Sequence, residues 1–366
     1  MSDHIVQVVQ HLRPGGIECM VLDLARRAPS PSTIVALEGD RETSLEAWPV
    51  LKPLADRLVF LDKPEGTSLR TVWRLAGLMR RLGATAVHTH HIGPLLYGGL
   101  AARLAGVTRR VHTEHDAWHL EAPQRRRLEQ TLLRLVQPTL VADSAMVARA
   151  MGDALGPVSI RTIDNGIDTD RFLPRDRNLT RRALDIPVSA TVVGTAARLE
   201  TVKGVDLLID AVARLPDLYL AIAGDGSQRA ALEAQASTLG VRERVRFLGR
   251  VDAMETLYPA LDRFCLPSRH EGLPLSLLEA QSCGIPAVVT PAGAMADAID
   301  PATGVVADAV DAAAIADALI RSLAQPASKS PRALVVAHFS LNAMIAAYKE
   351  LWYDRPDKRT PRLAAA

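Results

Sequence analysis

Aromatic side chains are scarce: Phe, Trp and Tyr together make up 4% of the 366 residues. A surface that stacks successive bases is built from such rings, so no nucleic-acid platform, and no nucleic-acid partner, is expected. Cysteine is scarce as well. Cys19, Cys265 and Cys283 are odd in number and far apart, which suits reduced thiols in a cytoplasm and not a disulfide framework. No apolar run approaches the ~20 residues a membrane-spanning helix needs. Met1 to Gln10 leads straight into a strand-like stretch without a basic leader or cleavage site, so no secretory signal is expected. The net charge of +2 by itself predicts no polyanionic partner.

What is present is an ordinary globular mixture, 48% hydrophobic and 23% charged. Its length predicts two domains. Short β-branched runs alternate with longer amphipathic stretches, the pattern of βαβ units with a parallel sheet covered on both faces. In the first half the strand-like runs are 5–9, 33–37, 58–61, 86–90 and 110–113, with helices over 17–27, 69–82 and 95–105. The pattern restarts after Asn165-Gly166-Ile167-Asp168 with strands over 191–195, 218–223, 245–248, 263–266 and 287–290. Helices there are expected over 205–214, 229–239, 256–260 and 275–282, and a last one over 341–353. The fold class is therefore α/β, with domains 1–164 and 165–340. Residues 165–185, rich in Asp, Arg and Pro, read as the linker, and the polar end of the chain reads as a loose tail.

Several segments carry chemistry. Pro14-Gly15-Gly16 follows the first strand and opens a helix, where backbone N–H groups and the helix N-terminus suit a phosphate. A plain tight turn is the other reading, and the sequence leaves both open; the spacing is not GxGxxG. Arg198 and Lys203 flank a strand-to-helix loop at the carboxyl end of a strand, where ligands of open α/β sheets bind. A forked guanidinium and a point-like ammonium can clamp a diphosphate there.

Glu271-Gly272-Leu273-Pro274-Leu275 and Glu279 place two carboxylates seven residues apart, one in a loop and one on an apolar helix. A buried carboxylate needs donors, and a ribose offers two hydroxyls to Glu279, which leaves Glu271 to face a sugar. Pro274 suits the first helical turn. A paired-carboxylate glycosidase would also use two acids, but nothing in the sequence fixes their separation.

Six of the ten histidines lie within 88–119: His88, His90, His91, His112, His115 and His119. His115 and His119 could share a helix face and hold zinc, yet the HExxH order is absent and no cysteine is near, so no metal is expected. These histidines read instead as polar groups for a sugar and its acceptor. Asp168-Thr169-Asp170 has a DxD spacing but reads as turn chemistry. Residues 66–134 carry eleven arginines and four acidic residues. Arg70, Arg74 and Arg81 recur at near-helical spacing, as a solvated face or as a contact for anionic lipid.

In order and spacing these segments resemble the retaining family 4 glycosyltransferases, bacterial exopolysaccharide and lipopolysaccharide sugar transferases among them. The matching pieces are Gly15-Gly16, the run 112–115, Asn165-Gly166-Ile167-Asp168 with Phe172 and Pro174, Arg198 and Lys203, Gly224-Asp225-Gly226, Phe247-Leu248-Gly249, and Glu271 to Glu279. The resemblance implies the GT-B fold, two Rossmann-like domains facing across a cleft, with a final helix (341–366) packing back on the first. It implies transfer of a hexose from a UDP- or GDP-sugar to a lipid-linked or polysaccharide acceptor in cell-surface glycan synthesis. Configuration would be retained through same-face attack, with no metal and no cofactor beyond the donor.

Carried over by position, Glu271, His115, Arg198 and Lys203 are the catalytic group. Gly15, Gly16, Arg198, Lys203, Gly249, Glu271, Gly272, Leu273, Pro274, Leu275 and Glu279 are the donor-binding group. The implied location is cytoplasmic, peripheral on the inner face of the plasma membrane. Relatives often carry a glycine and then a glutamate after Pro291-Ala292-Gly293. Here Ala294, Met295 and Asp297 stand in that stretch, which points to an altered donor loop. A sugar-nucleotide 2-epimerase and a non-catalytic nucleotide-sugar-binding protein share the architecture and are the competing readings.

Overall fold

The computed structural model describes residues 3–325 and 329–353. It forms two compact units. The first takes its residues from Met1–Ala142, Ala150–Ile163 and Ile345–Ala366, the second from Asp143–Arg149 and Asp164–Met344.

The first unit is built on β1 (Ile5–Val9), β2 (Ser32–Ala36), β3 (Leu58–Phe60), β4 (Ala86–His90), β5 (Arg109–Glu114), β6 (Thr139–Ala142) and β7 (Ile160–Thr162). They form one parallel sheet in the order β3-β2-β1-β4-β5-β6-β7. All residues of β1, β2 and β4 are buried, as parallel strands covered on both faces must be. One face packs Val6, Val8, Val35 and Val87 against Val72, Leu75, Ala76 and Met79 of the helix Leu69–Leu82. That helix starts on Ser68, whose hydroxyl accepts from Thr71 N–H, and stops at Gly83 in the left-handed conformation.

The second unit holds β8 (Thr191–Ala196), β9 (Leu218–Ala223), β10 (Val245–Gly249), β11 (Arg263–Leu266), β12 (Ala287–Val289) and β13 (Gly304–Val306). These are parallel, in the order β10-β9-β8-β11-β12-β13. Period-2 alternation divides their side chains between two cores. Val193, Leu220, Ile222, Cys265 and Val288 meet the helices Val205–Ala213 and Ala312–Ala324. Val192, Ala221, Phe264, Leu266, Ala287 and Val289 meet the helix Leu275–Ser282.

The stretch expected as a linker is instead part of the second unit. Ile167 and Phe172 are buried in its core, Ile167 pairs with Ser340, and a helix runs from Arg177 to Ala183. Turn residues thus mark a bend in a packed segment, because two apolar anchors between them have a core to enter. Asp168 does act as a turn former, its Oδ1 accepting from the N–H groups of Asp170 and Arg171. β6, β7 and β13 stand outside the strand-like runs read from the sequence. The stretch 256–260 forms two short 3-10 turns, Met254–Thr256 and Tyr258–Ala260, and not one helix. In the last helix, Leu341–Tyr353, the residues from Ile345 onward belong to the first unit. Tyr348 Oη lies 3.1 Å from Thr113 Oγ1 and its ring 4.8 Å from that of His88, with Trp352 stacked on Tyr348. The expected tail, 354–366, lies outside the described residues.

One buried ion pair holds the two central strands of the second sheet together. Arg181, 1% exposed, donates to the carbonyls of Ala260, Val188 and Ala190 and to Asp262 Oδ2 at 2.6 Å. The same oxygen accepts from Val192 N–H at the head of β8. Arg181→Ala is expected to lower unfolding stability by ~3 kcal/mol, because three carbonyls lose their donor and Asp262 loses one of its two guanidinium partners. A urea midpoint equal to that of the unaltered chain would contradict this.

Candidate active site

In the second sheet the strand order reverses between β8 and β11, so the loops at their carboxyl ends diverge and leave room for a ligand. The loop after β8 carries Arg198, exposed, and ends in the turn Thr201–Lys203. Gly204 follows with φ +65, and a Cβ there would lie 2.0 Å from the carbonyl oxygen of Pro267, the residue after β11. Only glycine lets the two loops touch. Arg269 then stitches them together, its N–H donating to Val202 O and its guanidinium gripping both oxygens of Asp206 at 2.8 and 2.6 Å. That grip holds the Asp206 carboxyl below its usual pKa.

These constraints bring Lys203 onto Glu271. Lys203 Nζ donates to Oε1 at 2.7 Å and to Oε2 at 2.6 Å. Both side chains are mostly covered, at 17% and 11% exposure. Gly293, φ +61, backs the Glu271 loop so closely that a Cβ would fall 2.0 Å from Glu271 O, and Ala294 N–H donates to Gly272 O. Ala294 and Met295 are buried beneath this loop, whereas Asp297 is exposed and faces Arg149 at 3.7 Å. The altered stretch therefore packs under the Glu271 loop and adds no carboxylate at 294 or 295.

Pro274 stands just outside the helix Leu275–Ser282, in extended backbone, and not in its first turn. Asn165 Nδ2 fixes this loop by donating to Leu273 O. Glu279, one turn into the helix, accepts from the buried Tyr258 hydroxyl at 2.6 Å. Sequence reasoning missed Tyr258; the signal was the need of a carboxylate on an apolar helix for a protein donor. Gly249, φ +68, ends β10 at a bulge and accepts from Gly224 N–H.

The histidines gather at the carboxyl ends of β4 and β5 in the first unit. Burial pushes His88 and His90 well below the usual imidazole pKa, so both are neutral. His90 Nε2 donates to Gln7 Oε1 at 3.0 Å, and its Nδ1 therefore accepts from His115 Nε2 at 3.2 Å. His91 has backbone angles of φ 71 and ψ 163, a region that costs a non-glycine residue ~1–3 kcal/mol. Its N–H donates to Thr113 O, and its Nδ1 lies 2.7 Å from Glu114 Oε2. Burial opposes charge on His91, but the Glu114 carboxylate prevails and raises it to about 9. His119 is raised to about 10 against the same penalty by its bonds to Asp116 and Glu129.

His115 and His119 do not share a helix face. His115 follows β5 directly, and His119 lies in the turn Trp118–Glu121. Gly15 and Gly16 open the helix Gly16–Arg27, with Gly15 in extended backbone any residue can adopt. The Glu18 carboxylate folds over Gly15, so that a Cβ there would meet Oε2 at 2.3 Å, and His11 Nδ1 lies 3.2 Å from Oε1. The helix entrance thus presents a carboxylate of its own.

Two family descriptions match the chain, "Glycosyltransferase Family 4" over residues 4–171 and "Glycosyl transferases group 1" over 176–336. The sequence is similar to a D-inositol 3-phosphate glycosyltransferase of Mycobacterium sp. (strain KMS), 30% identical over 343 residues, covering 85% of this chain and 74% of that protein. It is 34% identical over 223 residues to the lipopolysaccharide core biosynthesis glycosyltransferase LpsE of Rhizobium meliloti (strain 1021), covering 59% of this chain and 64% of that one. The fold resembles that of Anabaena Alr3699/HepE in complex with UDP and glucose. The TM-score is 0.83 at 22% identity, over 94% of this chain and 98% of that one.

The Lys203–Glu271 pair is expected to contribute as a unit. A double-mutant cycle with Lys203→Met and Glu271→Gln, read by urea unfolding without ligand, should give a coupling of ~1–2 kcal/mol. Additive single effects would show that the two charges do not sense one another.

Proposed function

The chain belongs to the family 4 glycosyltransferases, and on that premise we propose that it moves a hexose from a UDP- or GDP-sugar onto a lipid-linked or polysaccharide acceptor, with retention. The observation that carries the reading is the ammonium of Lys203 held on Glu271 beside the β8/β11 reversal, with Arg198 exposed on the same loop. A diphosphate is the stronger partner for Lys203 and Arg198 together, being doubly charged and forked. When it binds, Lys203 turns from Glu271 to phosphate, and Glu271 is left to accept hydroxyls of the hexose. The two residues thereby exchange partners, and the binding of donor sets both.

Glu279 takes the ribose hydroxyls through the carboxylate that Tyr258 orients. Amides around Leu273 to Leu275, at the start of the helix Leu275–Ser282, add positive potential beside the phosphates, and Gly272, Pro274 and Gly249 shape the backbone around them. Gly15 and Gly16 give the acceptor-side backbone its close approach, with Glu18 swinging aside. As the bond from the anomeric carbon to the diphosphate oxygen breaks, Arg198, Lys203 and these amides stabilise the departing charge, so the step uses neither metal nor cofactor. The acceptor hydroxyl adds on the same face, with His115 beside it, and its proton passes to the departing diphosphate oxygen.

Similarity to a lipopolysaccharide core transferase supports a cell-surface glycan acceptor, and the UDP complex of the HepE neighbour supports a uridine donor. Among the described residues no helix is long and apolar enough to cross a membrane. The helix Leu69–Leu82 displays Leu69 and Trp73 at 72% and 61% exposure beside Arg70 and Arg81, which suits a peripheral position on anionic lipid at the cytoplasmic face.

Lys203→Ala and Glu271→Ala are each expected to lower turnover of the accepted donor by ~10²–10³. Tyr258→Phe should weaken nucleotide binding by ~10-fold, through loss of a hydrogen bond to a charged group. A thermal-shift panel of UDP-, GDP- and ADP-sugars identifies the donor, since a ligand at 100 times its dissociation constant adds ~2.7 kcal/mol. Unchanged turnover in both charge variants would end the assignment. Conversion of donor without any acceptor would mark an epimerase instead.

A further inference from the structure

A second constellation lies in the first unit and includes His112, one of the histidines that the sequence suggests for a sugar and its acceptor. His112 and Glu114 on β5 and Glu129 on the helix Pro123–Val136 are all 0% exposed. One donor atom from each lies within 4.8 Å of those of the other two. Two carboxylates brought so close in a dry interior repel one another, and His91 and His119 on their outer sides offset part of that repulsion.

The hydrogen bonds show which atoms are already committed. His112 Nδ1 faces Thr89 Oγ1 at 2.9 Å, Glu114 Oε2 faces His91 Nδ1 at 2.7 Å, and Glu129 Oε2 faces His119 Nε2 at 2.7 Å. Each of the three residues is thus anchored through its far atom by an outer partner. That is the arrangement in which outer groups orient metal ligands. The remaining atoms are His112 Nε2, Glu114 Oε1 and Glu129 Oε1. The first two share a proton at 2.9 Å, in the position where a cation would replace it. Glu129 Oε1 is buried and finds no hydrogen-bond partner among the described residues. A buried carboxylate oxygen without a donor costs ~1–3 kcal/mol or more, and a cation at this point removes that cost.

We propose that His112 Nε2, Glu114 Oε1 and Glu129 Oε1 form a binding site for one divalent cation that ties the end of β5 to the helix Pro123–Val136. One imidazole and two carboxylates are a borderline-to-hard set, which selects zinc or manganese over calcium or copper(I). The ligands bracket residues 115–128, the segment that carries His115, so the ion fixes the strand before that segment and the helix that ends it. Its role is structural, and it stands whether or not the transfer reading above is right. His115 and His119, whose spacing first suggests a metal in the sequence, are not its ligands; His119 orients one.

The test uses the full chain, produced in medium supplemented with zinc and manganese and assayed by elemental mass spectrometry. About one bound ion per chain is expected, and stripping with EDTA should lower Tm by at least ~2 °C, with recovery on adding zinc or manganese chloride. Glu129→Gln and His112→Gln should lose the ion while Lys203→Ala keeps it. No more ion than in the buffer control, or an ion retained by both ligand variants, overturns the proposal. Should those variants fail to fold, anomalous diffraction from zinc-loaded crystals of the unaltered chain decides the matter. A peak ~2.0–2.2 Å from His112 Nε2 and the two carboxylates supports the site, and a peak elsewhere or none refutes it.

Discussion

The contact on which the second unit's chemistry depends is the pairing of Lys203 with Glu271. A parallel sheet buried on both faces has no room for charge within it, so polar function is confined to the loops at strand ends. Here the loops leaving β8 and β11 are pressed together at Gly204 and Pro267 and locked by Arg269 on Asp206. The ammonium and carboxylate that follow are mostly covered, so each needs hydrogen-bonding partners to stay charged. In the proposed reaction a diphosphate becomes that partner for Lys203 and sugar hydroxyls become it for Glu271. On that proposal binding is an exchange of partners, which would make the site selective for a ligand bearing both groups.

The first unit solves a different electrostatic problem. Its strands β4 and β5 end in histidines and a glutamate that are buried, where an isolated charge would be very costly. Two devices keep them there. His88 and His90 remain neutral, His90 linking His115 to Gln7 by hydrogen bonds and His88 pairing with Thr113 Oγ1 at 2.8 Å. His91 and His119 instead take up charge against carboxylates, and His91 tolerates a backbone conformation suited to glycine because Glu114 and Thr113 hold it on both sides. His115 sits at the junction of the neutral and charged groups, its ring 5.5 Å from those of both His90 and His91.

Much of this was legible from residue order. Short apolar runs marked β1, β4, β8, β9 and β11 to within a residue or two, since a parallel strand covered on both faces admits little else. Arg198, Lys203 and the Glu271 segment could also be singled out as polar groups at strand ends, though not the ion pair that Lys203 makes with Glu271. β7 was not legible, as Ile160 is its one apolar residue and the strand is largely exposed. Nor could Asn165 to Asp185 be recognised as packed, since its composition is that of a linker while Ile167 and Phe172 anchor it.

By itself the sequence determined the class of fold, two α/β units, and the identity of the charged residues at the ends of their strands. Local periodicity and short-range spacing are properties of neighbours along the chain, and they survive in one dimension. Tertiary structure alone decided who meets whom. Tyr258 reaches Glu279, Arg269 reaches Asp206, and Glu129 joins His112 and Glu114, each across a separation that no local pattern encodes. Those meetings follow from burial: a polar group taken out of water must find its complement among whatever the folded chain brings near.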